Sequence, residues 1–265
     1  MKPPQLPPWP YPLWIAHRGA GKLAPENTLA AFRLGAAHGW RAFECDVKLS
    51  RDGQPFLLHD ATLERTTDSR GTAGELDWPA LQQLDAGRWH SQAYAGEPLP
   101  ALSTIAAFCL AGGHALNIEI KPSPGDNERT GRCVAQAAAQ AWQTAAATGQ
   151  APWPLLSSFE IAALHAARSA APTLPRALLL DKLWAGCFDA AAALGCVAVV
   201  LNHRLVDAGL IAAQQAAGRR VLVYTVNDAA RAADLIGWGI DGVISDAVAR
   251  LGPGAPRPQG PATSR

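Results

Sequence analysis

The sequence predicts an α/β fold, a (β/α)8 TIM barrel with a small insertion after its second strand. Three observations carry this. Short, nearly unbroken apolar runs alternate with longer Ala-rich stretches, eight such runs can be counted, and polar residues collect at their C-terminal ends. Strands covered on both faces, as in a parallel barrel, read as continuous apolar runs rather than as alternating ones. Eight strand–helix units within 265 residues suit a closed barrel. A doubly wound open sheet is the alternative.

The strand runs, in order, are Leu13–Ala16, Ala42–Val47, Ala115–Ile120, Leu155–Ser158, Arg176–Leu180, Val197–Leu201, Val221–Val226 and Gly242–Ile244. Asn27 is the expected N-cap of the first helix, which runs towards Gly39. Glu128–Thr148 is Ala-rich and favours helix. Further helices are expected at Phe159–Ala170, Val206–Ala217 and Asp228–Ile236, stopped by Pro172, Gly218 and Gly237. The stretch from Asp60 to Leu99 breaks the repeat. It follows a short strand, Gln54–His59, and reads as an insertion on the C-terminal face, where barrel active sites lie. One barrel domain is expected over residues 1–251, with the insertion at about 60–99 and a disordered tail over 252–265.

Composition narrows the function classes. A net charge of +1 gives no global field towards nucleic acid or an anionic membrane. The five cysteines are scattered and form no CxxC, which suits reduced thiols in a cytosol. No apolar segment follows Lys2 as in a signal peptide, and no run reaches the roughly 20 apolar residues of a membrane span. A cytoplasmic protein without stable membrane insertion is expected, as a monomer or homodimer.

The chemistry sits at strand ends. His17-Arg18-Gly19 closes the first strand, Glu44-Cys45-Asp46 the second, His59-Asp60 the short strand after it, and Glu119-Ile120-Lys121 the next. Residues two apart on a strand share a face, so Glu44 and Asp46 point together, as do Glu119 and Lys121. Three crowded carboxylates repel one another unless a cation joins them. Oxygen ligands suit Mg²⁺ or Ca²⁺, with Mn²⁺ also possible, rather than zinc. Histidines are the usual proton carriers near neutral pH, and Arg18 and Lys121 suit a phosphate. Cys45 should face away, into the layer between barrel and helices. Asp241 and Asp246 read as turn and capping residues, and Glu26 as a possible helper at the site.

These motifs, together with Pro25-Glu26-Asn27-Thr28, Asn117-Ile118-Glu119-Ile120-Lys121, Ser158-Phe159, Tyr224-Thr225-Val226-Asn227 and the run from Gly239 to Asp246, resemble the glycerophosphodiester phosphodiesterase family over about Trp14 to Asp246. The resemblance implies metal-dependent hydrolysis of small-molecule glycerophosphodiesters to sn-glycerol 3-phosphate and an alcohol. It implies Glu44, Asp46 and Glu119 as metal ligands, His17 and His59 as general acid and base in either order, and Arg18 and Lys121 as phosphate ligands. Phe159 and Tyr224 would line the pocket, Tyr224 standing where related sequences often carry Trp. Two other readings keep the barrel: a phospholipase D-like or phosphoinositide-cleaving enzyme, which would show an apolar rim or basic face, and a catalytically dead phosphoester-binding protein.

Overall fold

Eight parallel strands close on themselves in the computed structural model, which describes residue 6 and residues 8–253. The strands are β1 (Trp14–Ala16), β2 (Ala42–Leu49), β4 (Ala115–Ile120), β5 (Leu155–Ser158), β6 (Arg176–Leu180), β7 (Ala198–Asn202), β8 (Arg220–Tyr224) and β9 (Gly242–Ser245). β3 (Pro55–Leu57) is an antiparallel hitchhiker on β2, pairing Val47 with Leu57 and Leu49 with Pro55. Closure comes from β1, which pairs with both β9 and β2 and so excludes the open sheet.

The helices are α1 (Leu29–Ala37), α2 (Trp78–Leu81), α3 (Leu102–Gly112), α4 (Asn127–Ala147), α5 (Ile161–Ala170), α6 (Cys187–Ala193), α7 (Ala208–Ala216) and α8 (Ala229–Gly237). Two of the helices that complete the repeat, α3 and α6, are absent from the sequence reading. The cap of α1 is also corrected. Thr28, not Asn27, accepts from the Ala31 amide, and Asn27 sits just outside at φ 59°. Phe159 precedes α5 instead of opening it.

Two apolar layers sandwich the strands. Ile15, Ala42, Leu155, Val200 and Leu222 fill the barrel interior. Phe43, Cys45 and Ile118 face outwards onto Ile105 and Cys109 of α3 and Val134 of α4, which places Cys45 as expected. The period-two alternation therefore leaves Glu44, Asp46 and Lys48 on the inner face of β2. The stretch 60–99 builds a satellite core of its own, in which Leu63, Leu81, Ala86 and Leu99 pack on Phe56 and Leu58. At the opposite, N-terminal end Trp9 and Tyr11 pack against the barrel floor. The expected tail lies, from residue 254 on, outside the described residues.

Candidate active site

Ligand atoms of Glu44, Asp46 and Glu119 lie within 4.8 Å of one another at the C-terminal mouth of the barrel. Strand register produces this, since Asp46 is paired directly with Glu119 across β2 and β4. All three side chains are largely buried. Glu44 Oε1 is buried without a hydrogen-bond partner among the described residues. Such an orphaned carboxylate oxygen beside two further carboxylates fits a hard divalent cation, which would satisfy it and cancel the repulsion.

Each carboxylate is held in place. Arg18 and Asn27 both adopt left-handed backbone, at φ 51° and 59°, a strained conformation for side-chain-bearing residues. The turn they form pays off locally: the Arg18 amide donates to Glu44 Oε2 at 3.1 Å. Asn27 grips Asp46 twice. Its Nδ2 donates to Asp46 Oδ2 at 2.9 Å, and its Oδ1 accepts from the Asp46 amide at 3.1 Å. Gly21 lets the same loop lie on the backbone of Asp246, where a Cβ would stand 2.1 Å from the carbonyl oxygen.

Each of the two histidines is backed by an aspartate. His17 Nδ1 lies 2.6 Å from Asp246 Oδ1, and His59 Nδ1 lies 2.6 Å from Asp60 Oδ1. An ionised carboxylate only accepts, so both Nδ1 atoms carry protons and each Nε2 is left for chemistry. His17 Nε2 points towards Glu44, 3.8 Å away. Asn227 clasps Asp246 as Asn27 clasps Asp46, donating to Oδ2 at 3.0 Å and accepting from the amide at 2.8 Å. Asp246 is therefore the partner of a site histidine, which corrects its reading as a turn residue. Asp241 stays a structural residue of the bend before β9, where it pairs with Arg220 and accepts from the Val221 amide. Glu26 connects the halves by binding Arg18 and also Arg65, which in turn holds Asp60.

Cations line the same mouth. Lys121 Nζ donates to Glu119 at 2.8 Å and lies 3.6 Å from Asp46. Arg18 Nε is 3.1 Å from Asp46 Oδ2, an ion pair not aligned as a hydrogen bond. Phe159 sits under Lys121, 5.7 Å from ring centre to Nζ, and meets Tyr224 edge-on at 6.0 Å. Thus all nine residues singled out from the sequence gather at one end of the barrel. Lys48, Asp60 and Asn227 are contributors to which sequence reasoning gave no role, and Asn27 and Asp246 are contributors that it read only as capping or turn residues. For Lys48 a signal existed, because it continues the spacing of Glu44 and Asp46 on the same strand face.

Electrostatics follow from this packing. Burial and the charge of Asp46 push Glu44 up to about 8. Burial would raise Asp46 as well, but Arg18, Lys121 and the Asn27 amide hold it below the ordinary carboxylate range. Burial and Asp46 raise Glu119 against the pull of Lys121. Burial alone would lower His17, yet the Asp246 hydrogen bond and the Glu44 charge outweigh it and raise the imidazole. For His59 burial dominates and lowers it. Burial, then the neighbouring Lys121, bring Lys48 down to about 8.

A pH dependence of the metal-free protein results. Glu44 binds its proton more tightly folded than unfolded, so its contribution erodes as pH rises from the ordinary 4.5 through about 8. His17, also raised, has the same sign; His59 opposes it. With chelator present, the melting temperature followed by circular dichroism is expected to fall between about pH 5 and pH 8, above which Lys48, lowered to about 8, opposes any further fall. A melting temperature that rises over this range would contradict the assignment.

Comparison with known proteins agrees with this geometry. Residues 17–250 match the model of the glycerophosphoryl diester phosphodiesterase family. YhdW of Bacillus subtilis is 30% identical over 245 residues, covering 88% of this chain and 93% of that one. Among solved structures, an Oleispira antarctica phosphodiesterase in complex with the product sn-glycerol-3-phosphate superposes with a TM-score of 0.81 at 34% identity, over 89% of this chain and 94% of that one. A glycerophosphodiester phosphodiesterase of Agrobacterium tumefaciens gives 0.74 at 26% identity, over 89% and 96%. With both fold and sequence matched over nearly their whole length, the chain belongs to the glycerophosphoryl diester phosphodiesterase family and is an enzyme of that class.

Proposed function

We propose that this enzyme hydrolyses glycerophosphodiesters to sn-glycerol 3-phosphate and an alcohol, with a divalent cation held by Glu44, Asp46 and Glu119. The observation that carries the reading is the three-carboxylate cluster at a barrel mouth that also holds two His–Asp pairs. The product bound in the Oleispira antarctica relative supports the same substrate class. When bound, the cation supplies Lewis-acid stabilisation of charge on a phosphate oxygen. Mg²⁺, Ca²⁺ and Mn²⁺ all accept such oxygen ligands.

The protein's own groups do the rest. Arg18 and Lys121 neutralise the phosphate and fix its orientation. Phe159 and Tyr224 wall the mouth on the β5–β8 side. The environments of the two histidines push them apart, which supports a division of roles between them. His59, lowered, takes the proton from the attacking glycerol hydroxyl as its oxygen bonds to phosphorus, and water then opens the cyclic phosphate so formed to give glycerol 3-phosphate. His17, raised and backed by Asp246, gives its proton to the departing alkoxide as the other P–O bond breaks.

Glycerophosphodiester turnover tests the reading, by following glycerol 3-phosphate release with EDTA and then with each of the three cations. Release that EDTA abolishes and a cation restores is expected. Undiminished release after complete chelation would remove the metal from the mechanism. No release from any headgroup would remove the activity.

A further inference from the structure

Beside the phosphate site lies a cavity of about 630 Å³ that the reaction itself does not need. It opens between the loops after β3 and β4, and Lys48, His59, Lys121, Ser123, Asn127 and Glu160 line it. His59 and Lys121 belong to both spaces, so a phosphodiester held at the carboxylates can extend one of its two alcohols into this cavity.

We propose that the cavity is the subsite for the alcohol opposite the glycerol, that it selects hydroxyl-rich alcohols, and that Lys48 is its specificity-determining residue. The proposal rests on the glycerophosphodiesterase reading above. Lys48 is 2% exposed, yet it carries an ammonium group. Its Nζ donates to the Lys121 carbonyl oxygen at 3.1 Å, which is one bond for a group with three N–H. Ser123 also lines the cavity, and its Oγ is buried with no partner among the described residues. The inner wall is thus rich in donors. At the outer wall Asn127 Nδ2 donates to Glu160 Oε2 at 3.0 Å, leaving the amide oxygen and the second carboxylate oxygen as acceptors.

Neighbouring hydroxyls of a glycerol or an inositol both donate and accept, and so match a donor-rich floor under an acceptor-rich rim. A quaternary ammonium finds nothing comparable. It is held best by aromatic faces, and apart from the His59 imidazole no aromatic residue lines this cavity. Phe159 already faces Lys121. The Asp60 carboxylate is taken up by His59 and Arg65, so the inner wall keeps the positive sign of Lys48.

The test compares kcat/KM for glycerophosphoglycerol and glycerophosphoinositol with that for glycerophosphocholine, at saturating cation, in the wild type, Lys48→Met and Ser123→Ala. The wild type is expected to prefer the polyol esters at least ~10-fold, and each substitution to bring the ratio towards one. Lys48→Met lies close to the carboxylates, so Ser123→Ala carries the test if the first variant does not fold or bind metal. Turnover with a ratio that neither substitution moves, or a wild-type preference for the choline ester, overturns the subsite alone. A wild type inactive on all three esters overturns the activity and the subsite with it.

Discussion

Replacing His17 or His59 with alanine is expected to lower turnover about 10²–10⁴-fold, the usual range for a positioned proton carrier. Both side chains are partly exposed at the mouth, 17% and 28%, and neither fills the apolar core, so the melting temperature should change little. The two losses should differ in shape as well as size. An acid must be protonated to act, so His17→Ala should erase the fall of the rate on the basic side. A base must be free, so His59→Ala should erase the fall on the acidic side. Full pH–rate profiles of both variants decide this. Exchanged limbs would exchange the roles, and near-normal turnover in either variant would end the assignment.

The second large effect concerns Glu44→Gln. In the metal-free enzyme the Glu44 carboxyl already keeps its proton up to about pH 8, and glutamine imitates that neutral form. Glutamine does not ionise in the unfolded chain either, so the metal-free variant should melt close to the wild type near pH 4.5 and progressively higher as pH rises towards 8. Added cation reverses the order. A ligand that binds only the folded state stabilises it by about 2.7 kcal/mol at a hundred times its dissociation constant. The variant should forfeit most of this gain, because it lacks one of three anionic ligands. The affinity loss should exceed the roughly 10–100-fold that is common for groups merely supporting a ligand. Calorimetric titration with Mn²⁺ and melting with and without cation measure both sides. Unchanged affinity would exclude Glu44 as a ligand.

Much of this site can be read from sequence because strand geometry is rigid. A spacing of two residues fixes the shared face of Glu44 and Asp46, and the strand ends fix the height of His17, His59 and Glu119. What escaped has equally physical reasons. Asn27 and Asp246 carry residue types that usually cap helices or make turns, and their partners lie 19 and 229 residues away. Only the closing of β1 onto β9 brings Asp246 to His17. The unread helices α3 and α6 are preceded by Ala101 and Gly186 as N-caps, which make no side-chain cap bond and so leave no start signal. By contrast, Asp207 and Asp228 cap α7 and α8 and mark them clearly.

β3, the three-residue strand riding on β2, divides the two histidines between two parts of the fold. His17 hangs on the closing seam of the barrel itself. His59 follows β3 and depends on the small satellite core of Phe56, Leu58, Leu63, Leu81 and Leu99. Small cooperative units open at lower free energy than the body that bears them. On heating, turnover should thus disappear while the barrel's circular dichroism is still intact, and amide exchange should be faster across 60–99 than in β4–β8. Coincident loss of activity and of fold would mean that the satellite and the barrel melt as one. If they melt apart, the satellite acts as a thermal fuse, and apolar substitutions confined to it should move the temperature ceiling of catalysis without touching the barrel.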